Sequence, residues 1–159
     1  MMPLFSILPT FPPKQFLQGK KSTLIQGHNT LWFVFDSTEH GLGQFYQFTD
    51  FLKRAWNITD AHFTNIYTAL SEAVINAAGH GNKWEKEKSV YVNATHHDGY
   101  YTFLIEDEGE GFNHHRVENP TDKGNREKPG GRGIFLMNHF ATDVHYSENG
   151  RLVKLLFAY

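Results

Sequence analysis

Three short blocks, in a fixed order, do most to constrain what this chain can fold into. Glu72-Ala-Val-Ile-Asn76 runs on to Gly79-His80-Gly81-Asn82. Asp107-Glu-Gly109-Glu-Gly111-Phe112 follows, and Gly130-Gly131-Arg132-Gly133 then opens the apolar run Ile134-Phe-Leu-Met-Asn-His-Phe140. Glu and Asn four residues apart share one helix face. Asp-x-Gly-x-Gly can end a strand and bring bare backbone against a ligand. A glycine cluster ahead of a helix leaves N–H groups free beside an anion. In this order the blocks fit the parts of one ATP–Mg2+ site.

The rest of the chain supplies elements on which to hang them. Ser22 to Gly27 and Thr30 to Phe35 read as strands around a Gly-His-Asn turn. Asp36-Ser-Thr38 is an N-cap cluster, and apolar residues from Leu42 to Trp56 recur at helical spacing, which predicts a helix from about Thr38 to Ala55. Asn57-Ile-Thr59-Asp60 starts a second helix, with Phe63, Ile66, Tyr67, Leu70, Ala73, Val74 and Ala77 as its stripe. Gly79 and Gly81 are expected to close it. Glu72 and Asn76 fall on the side away from the stripe.

Ser89 to Thr95 and Tyr100 to Glu106 read as a hairpin around His97-Asp98-Gly99, and Thr142 to Ser147 with Leu152 to Ala158 as another around Glu148-Asn149-Gly150. Ile134 to Phe140 reads as a short helix. Asn113 to Pro129 is long, polar and charged, as in a functional lid. The pattern predicts one α+β domain over 21–159, a two-layer α/β sandwich whose mixed, mainly antiparallel sheet has helices on one face. Residues 1–20 read as an extended or loosely docked arm, because Pro3, Pro9, Pro12 and Pro13 break any helix.

Bulk properties exclude several classes. A net charge of -2 lacks the basic excess of a general nucleic-acid binder. The absence of cysteine rules out disulfides and thiolate zinc sites and suits a cytoplasmic setting. No apolar run approaches the roughly 20 residues of a membrane helix, and the N-terminus has neither a basic region nor a small-residue cleavage site. The ten histidines include two adjacent pairs, His96-His97 and His114-His115. Side chains of such pairs diverge in an extended chain, so no histidine-bound metal is expected.

The chemistry of the blocks is specific. Asp107 can accept a hydrogen bond from an exocyclic amine, the polar handle of adenine, while Gly109 and Gly111 leave room for a flat ring. The ordinary alternative is an acidic turn after a strand. Asn76 presents a neutral oxygen suited to Mg2+, an ion that takes few protein ligands and completes its shell with phosphate and water. Glu72, one turn earlier, can orient or deprotonate a nucleophile. A lone Glu–Asn pair would more simply be a solvated helix face. Gly130, Gly131 and Gly133 free backbone amides at a helix start, and Arg116, Lys123, Arg126 and Lys128 supply cations for phosphate oxygens.

The blocks resemble the N, G1 and G2 boxes of the GHKL ATPases, the Bergerat ATP-binding fold, and within them the anti-sigma factor branch of serine-protein kinases. Ser71-Glu-Ala-Val-Ile-Asn-Ala-Ala-Gly-His-Gly81 and Gly131-Arg-Gly-Ile-Phe-Leu-Met-Asn-His-Phe140 carry the likeness, which covers about residues 38–158. The resemblance implies that Asp107 binds the adenine amine, with Gly109 and Gly111 beside the base. It implies Asn76 as the Mg2+ ligand and Glu72 as the base toward a serine hydroxyl. Gly130, Gly131 and Gly133 would cradle phosphates, with His80, Arg132 and Ile134 among the nucleotide-binding positions. Implied partners are an anti-anti-sigma protein as substrate, a sigma factor, and a second copy in a homodimer.

Two positions depart from the family pattern. Arg151 and Leu152 follow Gly150 where the family usually has Thr, and Lys128-Pro129 precede Gly130 where it has a lid arginine. Arg126 or Arg132 is the candidate substitute for that arginine as a catalytic cation. Two further readings stand beside the kinase. One is an ATP-ordered protein-binding module with little chemistry, in which the aromatic-rich first helix is a partner face or simply core. The other is a histidine-kinase-type ATPase domain acting on a separate phosphoacceptor.

Overall fold

The computed structural model describes residues 23–27, 29–111 and 131–159. The expected arm over 1–20, the lid over 113–129, and the site candidates Arg126 and Gly130 lie outside the described residues. Six strands and three helices follow in chain order: β1 (Thr23–Gln26), β2 (Thr30–Asp36), α1 (Glu39–Ala55), α2 (Asp60–Asn76), β3 (Ser89–His97), β4 (Tyr100–Glu106), α3 (Arg132–Phe140), β5 (Asp143–Ser147) and β6 (Leu152–Ala158).

Local chemistry sets most boundaries. Thr38 caps α1 by accepting from the Gly41 amide, and Thr59 caps α2 by accepting from the His62 amide. Asp98 and Gly99 turn β3 into β4 with φ of 50° and 81°, the left-handed pair that a two-residue hairpin needs. The end of α2 departs from the sequence expectation. The glycines do not stop the helix; it widens into one π turn over Ala77–Gly81. The Trp84 amide then bonds back to the Ala78 carbonyl at 2.9 Å, through Lys83 and Trp84 at φ of 56° and 58°.

The sheet order is β1-β2-β3-β4-β6-β5. All the described pairings are antiparallel, so the mainly antiparallel sheet expected holds, without the parallel pair that a mixed sheet implies. The reason is topological: α3 carries the chain to the edge strand β5, and the following turn returns β6 into the slot beside β4.

All three helices lie on one face. Leu31, Phe33 and Phe35 alternate inward from β2, joined by Val90, Val92, Phe103, Ile105 and Leu155. Phe45, Phe48 and Leu52 of α1 and Ile66, Leu70 and Val74 of α2 close over them. Phe33 stacks on Phe48 with centroids 4.8 Å apart, so these α1 aromatics are core, while Tyr46 and Phe51 are only half-buried. Tyr67, expected in the α2 stripe, is exposed. Burying one such aromatic or aliphatic side chain contributes about 1.5–3 kcal/mol.

Candidate nucleotide site

The first two blocks meet backbone to backbone. The π turn carries Gly81 against the end of β4, where a Cβ on Gly81 would stand 2.3 Å from the Asp107 carboxyl carbon. A Cβ on Gly109 would stand 2.1 Å from the Gly81 carbonyl oxygen. Only glycine allows either approach. Gly111 has φ of 83°, and a Cβ there would lie 2.2 Å from the Asn149 carbonyl oxygen. The Asp-x-Gly-x-Gly run is thus wedged between the end of α2 and the turn before β6.

Asp107 is buried at 4% exposure. One carboxylate oxygen accepts from the Gly109 amide at 2.7 Å, and its own amide donates to the Arg151 carbonyl at 3.1 Å. Burial pushes its pKa up, against the lowering effects of the Gly109 amide and the Arg151 and Lys88 charges. A carboxylate held this way has acceptor capacity left for a neutral donor such as an amine.

Asp107 opens on a narrow cleft between α2 and the β4–β6 pair. Asn76, Ala77, Ile105, Met137, Tyr146, Gly150 and Arg151 line it as well. Burial raises the Tyr146 hydroxyl to about 12, so it stays a neutral donor. Apolar walls with one acidic group at the end are the chemistry that a flat heterocycle with an exocyclic amine needs, and the cleft, at about 20 Å³, must widen to admit one.

The third block lies beside Asn76, one of the residues that line the cleft. Gly131 has φ of 76° and begins α3 as a left-handed cap, its carbonyl accepting from the Phe135 amide at 2.9 Å. Gly133 sits on the Glu72–Asn76 face. A Cβ there would be 2.7 Å from Glu72 Oε2 and 3.3 Å from Asn76 Nδ2. The start of α3, with its free amides, therefore lies directly against the Glu–Asn pair. A neutral amide oxygen beside a carboxylate, with no side chain between them and the helix start, is a donor set that fits a hard cation bridging to phosphates. Arg132 is exposed at the first position of α3, and Ile134 packs against the core. His80 is exposed on the π turn and does not line the cleft.

Asn82 is the residue whose role sequence reasoning missed. It is fully buried. Its Nδ2 donates to Ser37 Oγ and to the Ser89 carbonyl, each at 2.8 Å, and its Oδ1 accepts from the Glu108 amide at 2.7 Å. Glu108 in turn accepts from the Ser89 amide at 2.6 Å. One amide side chain thus ties the turn after α2 to β3 and to the Asp107 loop. Its position after Gly81 is the only signal the sequence held, and Asn there also reads as an ordinary turn residue.

A helix, a strand end and a glycine-led helix start around one cleft define an ATPase domain of the histidine kinase-like type. The family model described as a histidine kinase-like ATPase domain matches residues 38–157, and this chain belongs to that family.

Its likeness is to the anti-sigma factor branch. The chain is 36% identical over 85 residues to the Anti-sigma F factor of Priestia megaterium, covering 51% of this chain and 57% of that protein. It is 34% identical over 94 residues to the Anti-sigma F factor of Bacillus cytotoxicus, covering 57% and 64%. For the Anti-sigma F factor of Clostridium perfringens the figure is 32% over 102 residues, covering 62% and 72%. The chain thus spans less than two thirds of the length of the first two of these relatives. Among the described residues no helix is long and apolar enough to cross a membrane.

Proposed function

We propose that this chain is an ATP-dependent, anti-sigma-type regulator and a protein serine/threonine kinase acting on a small anti-anti-sigma-type partner. A sigma factor is its second partner, it works as a homodimer, and it resides in the cytoplasm. The contact of Glu72 and Asn76 with the start of α3 carries the reading. It sets a carboxylate, a neutral oxygen ligand and free amides within one side chain's reach of each other, with Glu72 Oε2 2.7 Å from where a Gly133 Cβ would be.

In this mechanism Asp107 accepts the adenine amine and fixes the base in the cleft. The amides at Gly131 and Gly133 hold phosphate oxygens at the positive end of α3. Asn76 Oδ1 is the ligand that would hold Mg2+, which when bound neutralises phosphate charge. Glu72 takes the proton from the partner's hydroxyl as that oxygen bonds to the γ-phosphorus. The bond to the β–γ bridging oxygen breaks, and ADP leaves. The cation that stabilises the transferring group in this reading is Arg132 or Arg126.

The test is transfer of labelled γ-phosphate from ATP to the cognate partner. The native chain phosphorylates it, and Glu72→Gln binds ATP but transfers at a rate lower by about 10²–10⁴-fold. Tight ATP binding by the native chain with no transfer would instead assign it an ATP-gated binding role.

A further inference from the structure

The sheet has a second face, opposite the helices, and it is not built like a solvent face. Cross-strand register puts Ile25, Trp32, Asn93, Leu104 and Lys154 in one row across it. A neighbouring row runs Val34, Tyr91, Glu106. Val34 is 2% exposed, Tyr91 2%, Asn93 0% and Leu104 4%. No helix among the described residues lies over this face. Val34 and Tyr91 form a small cluster with Ile25, separate from the main core.

Two polar atoms on this face point to what covers it. Trp32 Nε1 and Asn93 Nδ2 are shut off from solvent and have no acceptor among the described residues. They belong to residues directly paired across β2 and β3. Asn93 Oδ1 is used by the Thr95 hydroxyl at 3.3 Å, which leaves the amide as a donor. A buried donor without an acceptor costs about 1–3 kcal/mol, so both atoms call for carbonyl oxygens.

We infer that the outer face of the sheet is a docking surface for an extended, proline-rich apolar segment, and that its occupant is the chain's own residues 1–13. The segment Met1-Met-Pro-Leu-Phe-Ser-Ile-Leu-Pro-Thr-Phe-Pro-Pro13 carries no charged side chain and four prolines. A polyproline-type chain spends none of its carbonyls on itself, and it docks on aromatic surfaces that offer donors, of which an indole N–H is one. Leu4, Phe5, Ile7, Leu8 and Phe11 supply apolar side chains for Ile25, Trp32, Val34, Tyr91 and Leu104 of these rows. The arm also leaves from the right place, because β1 is the edge strand and begins at Thr23. At about 3.1 Å per residue, ten extended residues span about 31 Å. Six strands span about 24 Å.

The test reads the donor itself. The chain has three tryptophans and no cysteine, so Leu8→Cys takes a nitroxide label cleanly, and the three indole N–H signals are assigned from single Trp→Phe variants. The label is expected to remove most of the Trp32 indole intensity and to affect Trp56 and Trp84 less. Reducing the label restores the signal. Phe5→Asp/Leu8→Asp should leave the fold intact and speed exchange of the Trp32 indole proton with water. The label placed instead on Thr10→Cys guards against disturbance at position 8. A Trp32 signal unaffected by both labels overturns the inference. Broadening seen only when labelled and isotope-enriched chains are mixed also overturns it, since a second copy would then cover the face.

Discussion

The carbonyl oxygen of Gly81 lies 2.1 Å from where a Cβ on Gly109 would stand. The clash is with backbone, which has no rotamer to change. Gly109→Ala therefore forces apart the two blocks that frame the end of the cleft proposed for adenine. The expected cost is about 1–3 kcal/mol of stability, the range for overpacking a close contact, together with a loss of ATP affinity. Gly43→Ala is the control, because nothing lies within 4 Å of its Cβ and it sits exposed inside α1. That change should stabilise by about 0.5–1 kcal/mol. Urea unfolding of the two variants beside the native chain checks both signs.

Gly133 poses the opposite case. Its nearest obstacle is Glu72 Oε2 at 2.7 Å, the free end of a flexible side chain. Gly133→Ala can be accommodated if Glu72 rotates away, so the fold should survive with little change in melting temperature. The proposed base would then be out of position. Misplacing a reacting group by about 1 Å costs about 10²-fold in rate. Phosphoryl transfer should fall by that order while ATP affinity changes much less. Equal transfer by Gly133→Ala and native chains would remove Glu72 from the chemistry.

The elements were legible where one local interaction decides them. Thr38 and Thr59 read as N-caps and are N-caps, and Asp98-Gly99 reads as a hairpin turn and is one. The contents of the blocks pointed to a candidate chemistry, because carboxylate, amide and glycine each have a narrow use beside a nucleotide. Their mutual geometry was not. That Gly81 touches Gly109 depends on a π turn whose stability comes from Asn82 and Trp84, residues that look like ordinary loop composition. The buried outer face of the sheet was equally hidden, since Trp32, Asn93 and Leu104 sit in strands whose alternation is read only once the helix face is known.

Asn82 supports a prediction about stability at a distance from the chemistry. Asn82→Ala strands the Glu108 amide and the Ser89 carbonyl, which its side chain meets at 2.7 and 2.8 Å. A lost hydrogen bond that leaves a buried group unsatisfied costs about 1–3 kcal/mol, so the variant should lose about 2–4 kcal/mol. Asn82→Asp should be nearly as damaging, because it keeps the acceptor for Glu108 but loses the donor to Ser37 and Ser89. Denaturant midpoints measured at one pH order the three proteins.

Asp107 links binding to pH, and the two consequences run in opposite directions. Burial raises its folded pKa above the ordinary carboxylate range. The folded state therefore holds this proton more tightly than the unfolded chain. Its contribution to stability is full below the unfolded pKa and is lost as pH rises through the folded one. Asp107→Asn should accordingly be more resistant to denaturant than the native chain at neutral pH. The proposed adenine recognition is strongest with the ionised form, which accepts from the Gly109 amide and an exocyclic amine with both oxygens and presents no competing O–H. ATP affinity should therefore fall as pH drops through the raised pKa, with a proton released on binding within that window. Calorimetric titration in buffers of different ionisation enthalpy measures the released proton directly. Asp107→Asn presents an N–H where an acceptor is needed, so it should bind ATP weakly at every pH and release no proton. Pairing its weaker binding with its greater stability separates the two roles of one buried carboxylate.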